Sequence, residues 1–319
     1  MYTHSQAALG PLLLHQIRNP ATGEQVSIHA QGGALHELLL HHEGQVQAVL
    51  RTPATHEEYE AWGRQGYYGA KLFPFPGRIR NAQYDWGPGQ GQQLVANDTP
   101  RPHALHGLVY GQPFAVSDRQ ASASHGLLTL THHADGSAPG YPFPFELAIT
   151  YRLDSDGLSC TTRATNTGAT PMPVGDGWHP YILTESGATD TQLQFESQGE
   201  LLLSADYLPT GQQRAHNRFA ALTAIGPPGD LHECHALALQ AGIHRTWVHD
   251  PARQLTVEVW QETGPGKYNY LQLYVPPDQH SVAVEPYTCP SDAFNSGVGL
   301  ITLVPGETSH WRMGLRLVP

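Results

Sequence analysis

Charge is scarce in this sequence. Asp, Glu, Lys and Arg make up 14% of its 319 residues, against the roughly 25% usual in globular proteins. The 17 Lys and Arg are outnumbered by 28 Asp and Glu, for a formal net charge of −11, and no basic run occurs. Nucleic acid and anionic membrane are therefore not expected as partners. Cysteine is nearly absent too. Cys160, Cys234 and Cys289 are odd in number, widely spread and without CxxC spacing, which suits free thiols in a reducing compartment rather than a disulfide framework. No apolar run approaches the ~18 residues of a membrane span. The opening MYTHSQAALGPLLLHQIRNP has only a short apolar patch at residues 12–14 and no basic start, so no signal peptide is read there. A soluble, cytoplasmic protein is expected. GxSxG is missing, and GPGQG (87–91) has neither a following helix signal nor a Lys-Ser/Thr. Neither a nucleophile elbow nor a nucleotide site is predicted, and no cofactor is expected.

Turn formers are plentiful instead. Gly (33) and Pro (26) together exceed the roughly 12% average and argue for many turns and short strands. Period-two segments recur: GLLTLTHH (126–133), FELAITYRL (145–153), GLSCTTRAT (157–165), QLTVEVW (254–260), NYLQLYV (269–275), SVAVE (281–285), GLITLV (299–304) and HWRMGLRLV (310–318). The second and third are joined by Asp154-Ser155-Asp156-Gly157 and read as a hairpin. One helix is expected, where Thr55 and Glu58 form a capping box opening HEEYEAWGRQ. The pattern predicts an all-β fold: a large many-stranded antiparallel β-sandwich with short helices in loops, one domain over residues 1–319.

Several segments carry candidate chemistry. VAVEPYTCPSDAFNSG (282–297) starts as a strand, with Glu285 on the face opposite Val282 and Val284, and is expected to break at Pro286. A carboxylate ending an apolar strand is either a solvated edge residue or a group set at a cleft. In KLFPFPGRIRNAQYDW (71–86), Arg78 is either a surface salt-bridge partner or is aimed into a cleft by Pro74 and Pro76. PHALHGLVYG (102–111) offers His103 and His106, although 20 histidines will produce such spots by chance. GDGWHPYIL (175–183) sets His179 among Trp178, Pro180 and Tyr181, an environment that positions a general acid. LHECH (231–235) has His-x-x-His spacing without a third ligand, and the adjacent histidines at 41–42 and 132–133 would point to opposite faces of a strand. No metal is expected.

LFPFPGRIRN, HALHGLVYG, GWHPYIL and VEPYTCPSDAFN followed by LVPGE, in this order, resemble the aldose 1-epimerase (galactose mutarotase-like) family. The matched motifs run from Leu72 to Glu307, and the last is the most specific. The resemblance implies a β-sandwich binding a free aldose, and interconversion of its α and β anomers without metal or nucleotide. It implies Glu285 as base, His179 as acid, and Arg78 and His106 as sugar-binding groups. Two departures stand out. Gly77 replaces an Asn common before Arg-Ile, and the family's sugar-binding Asp has no counterpart in LHECHAL, where His232 or Glu233 would substitute; Asp230 lies nearby.

A hexose-6-phosphate 1-epimerase is the nearest alternative, since Lys71, Arg80 and Arg64 stand near Arg78 and phosphate wants two or more fixed cations. A non-catalytic carbohydrate-binding protein of the same fold is another, disfavoured by the presence of both Glu285 and His179. A monomer or homodimer is expected. The reference values, near 4.3 for Glu and 6.5 for His, predict activity between them, with His179 raised by an ionised Glu285.

Overall fold

The chain, analysed as a computed structural model, is described at all residues except 88, 217, 228, 230 and 319, and at 89 and 90 for the backbone only. Alternating segments become strands, paired with their chain neighbours wherever a tight turn joins them. Phe145–Asp154 and Gly157–Asn166 are antiparallel with Asp154 opposite Gly157, leaving the two-residue loop Ser155-Asp156 of the expected hairpin. Along Phe145–Asp154 the inward residues Leu147, Ile149, Tyr151 and Leu153 are fully buried, each contributing roughly 1.5–3 kcal/mol of apolar transfer where an aliphatic side chain is enclosed.

Among the described residues these strands assemble into a nine-stranded, a six-stranded and a five-stranded sheet, with smaller two-stranded pieces. The nine-stranded sheet takes its central strand, Thr308–Val318, from the far end of the chain, between Gly157–Asn166 and Leu255–Thr263. The six-stranded sheet runs Tyr181–Leu183, Ser281–Tyr287, Tyr270–Tyr274, His232–Ala236, Gly199–Leu203 and Pro209–Arg214. One core cluster takes Leu147, Ile149 and Val259 from the larger sheet and Leu271, Val282 and Val284 from the smaller. The antiparallel β architecture expected from the sequence is the observed one.

Two local expectations are corrected. The strand beginning at Ser281 does not break at Pro286 but continues to Tyr287. A proline lacks only the backbone donor, and the Pro286 carbonyl accepts from Trp178 N at 3.2 Å. The expected helix is shorter. Thr55 Oγ1 accepts from Glu58 N at 3.2 Å, but the Glu58 carboxylate reaches Ala54 N rather than Thr55 N. After His56–Glu58 the chain widens into a π-helical turn, Tyr59–Gly63. The short helix Ala293–Ser296, ended by Gly297 at φ +73°, has no sequence-based expectation. The Pro- and Gly-rich stretches at 86–91 and 225–230, whose composition predicts turns, fall partly outside the described residues, and the first runs into the strand Gly89–Gln93.

Candidate active site

On the face of the six-stranded sheet turned away from the core, alternation gathers polar side chains. Ser281–Tyr287 buries Val282 and Val284 in the core cluster and presents Glu285 and Tyr287 on its other side, where both line a cavity of about 300 Å³. Gln272, directly opposite Glu285 on Tyr270–Tyr274, and Tyr274 and His232 join them. Arg78, from the short strand Arg78–Ile79, and His106 and His179, from loops, close the cavity. Five of the six site residues expected from sequence are thus brought together.

His179 is carried by a stitched segment. Its amide donates to Ala70 O at 3.0 Å and its carbonyl accepts from Gly69 N at 2.9 Å. Gly177 is required there, since a Cβ would lie 2.8 Å from Pro76 Cβ and 3.0 Å from the Tyr287 ring. The imidazole stacks on Tyr181 at 4.7 Å with a 14° interplanar angle. Its Nε2 lies 3.4 Å from Glu285 Oε2, and Tyr287 donates its hydroxyl to the same oxygen at 2.6 Å. His179 Nδ1 is buried without a hydrogen-bond partner among the described residues.

The electrostatics reverse the expectation from reference values. Burial pushes the Glu285 carboxyl up to about 8, although the Tyr287 hydroxyl and Arg78 pull the other way. Burial likewise pushes the His179 imidazole down to about 3, so an ionised Glu285 does not raise it. Desolvation penalises both charged forms and outweighs pairing. Each group is driven toward neutrality, and together they hold one proton over a wide pH range. Passing that proton across 3.4 Å converts the neutral pair into the ion pair.

Arg78 combines the two roles left open by sequence. It forms a two-pronged salt bridge to Asp98, 2.7 and 3.3 Å, and still faces the cavity. Its guanidinium lies 5.1 Å over the Tyr207 ring. The bridge is largely buried, with side-chain exposures of 12% and 7%, not a surface pair. His106 follows from local strain: its φ is +61° and that of Gly107 is +75°, and a Cβ on Gly107 would sit 2.3 Å from Phe73 O. Its Nδ1 accepts from Gly77 N at 3.3 Å. Burial, reinforced by His179 and Arg78, holds the imidazole well below its ordinary value. His106 is therefore a neutral ring with Nε2–H free to donate. Gly77 itself has φ +63°, and a Cβ there would lie 2.2 Å from Ser291 Oγ; the Ser291 hydroxyl occupies the space that an Asn at 77 would need.

Glu233 is a correction. It does not join the cavity, because the strand His232–Ala236 sends alternate residues to opposite faces. His232 faces the cavity, stacked on Tyr207 at 4.0 Å, while Glu233 sits behind the strand, 2.9 Å from His235 Nε2. Asp230 lies outside the described residues. His103 is structural, accepting from Asn81 N at 3.1 Å. Sequence reading missed Tyr181, Tyr207, Arg101 and Ser291 at the cavity and Asp98 behind Arg78. Gln272 and Tyr274 were readable, standing on one face of the predicted strand NYLQLYV.

A family model, aldose 1-epimerase, matches residues 14–316. The chain is 29% identical over 258 residues to the uncharacterized protein YihR of Escherichia coli, covering 76% of each. It is 25% identical over 270 residues to the uncharacterized protein YphB of the same organism, covering 77% of this chain and 82% of that one. Its fold is that of a galactose mutarotase-like protein from Clostridium acetobutylicum, at a TM-score of 0.82 and 19% identity over 100% and 98% of the two chains. The galactose 1-epimerase of Lactobacillus acidophilus is similarly alike, at 0.80 and 17% over 100% and 98%. With the family model spanning nearly its whole length, this chain belongs to the aldose 1-epimerase family.

Proposed function

We propose that the protein is an isomerase that interconverts the α and β anomers of a free aldohexose by acid–base ring opening. The observation that carries this reading is the 3.4 Å contact of His179 Nε2 with Glu285 Oε2 at the wall of the cavity. With the shared proton on His179, Glu285 accepts the proton of the C1 hydroxyl and His179 donates to the ring oxygen. The ring opens to the aldehyde, leaving Glu285 protonated and His179 neutral. The C1–C2 bond rotates. The ring hydroxyl then returns its proton to His179, Glu285 protonates the carbonyl oxygen, and closure gives the other anomer. Neither group gains or loses a proton over the cycle, and such transfers are typically worth 10²–10⁴-fold each. His106 Nε2–H, Arg78, Gln272 and His232 hold the remaining hydroxyls.

The cavity, about 300 Å³, is at the small end of the roughly 300–1,000 Å³ of small-molecule sites and suits one sugar ring. The charge balance favours a neutral sugar over a phosphorylated one. Lys71 is bound to Asp176, Arg80 to Asp292 and Arg64 to Glu60, so the cations read from sequence are engaged elsewhere. Arg101 lines the cavity but shares Asp98 with Arg78 at 3.6 Å. Polarimetry of freshly dissolved α-glucose, α-galactose and glucose 6-phosphate tests the proposal. Accelerated mutarotation of a free hexose supports it; acceleration of the phosphate alone selects the phosphosugar alternative; binding without acceleration selects the non-catalytic one.

A further inference from the structure

Behind the strand that presents His232 lies a second group of polar side chains. Glu233 and His235, two residues apart and so on one face, meet His216, which follows the strand Pro209–Arg214. One candidate ligand atom from each lies within 4.8 Å of the other two. The two imidazole centroids are 4.4 Å apart at 69°. Side-chain exposures are 8% for His216, 11% for Glu233 and 0% for His235. Buried polar atoms are normally hydrogen-bonded, yet His216 Nε2 has no partner among the described residues, while His235 meets Glu233 through Nε2. The other nitrogen of His216, Nδ1, faces Glu200 Oε2 at 3.6 Å. Glu200 is itself held by two bonds from Arg214, 2.8 and 2.9 Å. Phe195 covers both imidazoles.

We propose that His216, Glu233 and His235 bind a divalent transition-metal ion of the zinc class, at a site separate from the sugar cavity. Two imidazoles and one carboxylate are a donor set that zinc accepts. Glu200 behind His216 supplies the carboxylate–histidine pairing that orients a metal-bound ring. Ligands of a tetrahedral ion at ~2.0–2.1 Å stand about 3.4 Å apart. The observed 2.9 Å between Glu233 and His235 and the 4.8 Å limit for the group are within side-chain adjustment of that value. The partly open edge at Glu233 admits water as a further ligand. The sequence expectation of no metal rested on the absence of a third ligand in LHECH and on the opposed faces of the adjacent histidines at 41–42 and 132–133; in the structure His232 and His235 project to opposite faces, and the further imidazole comes from the neighbouring hairpin. Bound there, the ion would fasten the end of that hairpin to the strand that holds His232 against the sugar.

The test is a zinc titration of chelator-stripped, dialysed protein against a competing chromophoric chelator, with cobalt as a spectroscopic probe. One zinc per chain is expected, with cobalt absorption bands of a four- or five-coordinate N/O site. His216→Ala should weaken zinc binding by at least about 100-fold and abolish the zinc-dependent rise in Tm expected of the wild type. Should His216→Ala not fold, His216→Gln and Glu233→Gln are read in the same assay. Absence of stoichiometric binding in the wild type, or affinity unchanged in these variants, overturns the proposal. The outcome is independent of whether the protein turns over a sugar.

Discussion

Tyr287 and Glu285, two residues apart on one strand and therefore on one face, are joined by a 2.6 Å hydrogen bond from the phenol to Oε2. That bond favours the ionised carboxylate and opposes the burial that raises the Glu285 pKa. Tyr287→Phe removes it. The carboxyl should then rise further, shifting the alkaline limb of kcat/KM to higher pH, with kcat reduced about tenfold through loss of the ionised form. A limb that stays in place, in a folded variant, would show that Glu285 does not govern it.

Glu285→Gln should lower kcat by at least roughly 10²-fold with little change in KM. It should also stabilise the protein at alkaline pH. A carboxyl whose folded pKa is raised contributes stability below its unfolded value, and loses it as pH rises through the folded one. The window runs from the ordinary Glu value of 4.5 to about 8. At pH 9 the variant should exceed the wild type by at least about 1 kcal/mol, since one pKa unit is worth 1.36 kcal/mol. Denaturant melts at pH 5 and pH 9 measure the difference; equal stabilities at pH 9 count against a buried acidic Glu285.

The pH profile is the third expectation. Turnover as proposed requires one proton on the His179–Glu285 pair. That state spans the interval from about 3, where the imidazole takes a second proton, to about 8, where the carboxyl loses the last. The plateau should therefore be broader on both sides than reference values give, with both limbs belonging to the pair. His179→Asn should lose most of the rate and the alkaline limb, leaving a residual rate that only rises with Glu285 ionisation. Persistence of the alkaline limb would transfer the acid role to another group.

Arg78 is tied to Asp98 by two prongs and lies over Tyr207. A lysine keeps the charge but not the fork or the flat face. Arg78→Lys should raise KM several-fold and, unlike a change at a free cleft residue, cost about 1–2 kcal/mol of stability through the weakened Asp98 contact. Parallel kinetics and thermal melts separate the two effects.

Beneath the segment bearing His179, Lys71 Nζ and Tyr268 OH both donate to Asp176 Oδ2, at 2.7 and 2.5 Å, with Lys71 and Asp176 fully buried. Asp176→Asn leaves the ammonium buried without its counter-charge and should destabilise by about 3–5 kcal/mol. A melting temperature within a degree of wild type would contradict the inaccessible ion pair.

Much of this architecture was legible. Strand periodicity located Phe145–Asp154, Gly157–Asn166, Leu255–Thr263 and Thr308–Val318 to within a few residues, because inward and outward side chains alternate wherever one face is buried. The motifs around Arg78, His106, His179 and Glu285 marked the cavity. Glu233 was misplaced because LHECH carries polar residues on both faces, so its composition does not reveal which side faces the cavity. Tyr181 was missed because a tyrosine in a strand is ordinarily core, and Tyr207 because it sits in the bend between two strands and reaches the cavity only through tertiary packing.

The sequence by itself determined the class of fold and the parity of each strand, since side-chain direction follows from local backbone geometry. It thereby put Glu285 opposite Val282 and Val284 before any contact was known. Only the tertiary structure decided what Glu285 meets. Non-local pairing brings Gln272 opposite it, loop packing brings His179 within 3.4 Å, and folding of the hairpin brings His216 to Glu233 and His235. The same packing buries the pair. Desolvation depends on every neighbour at once and on none in particular along the chain, so the direction in which Glu285 and His179 titrate could not be read from their order.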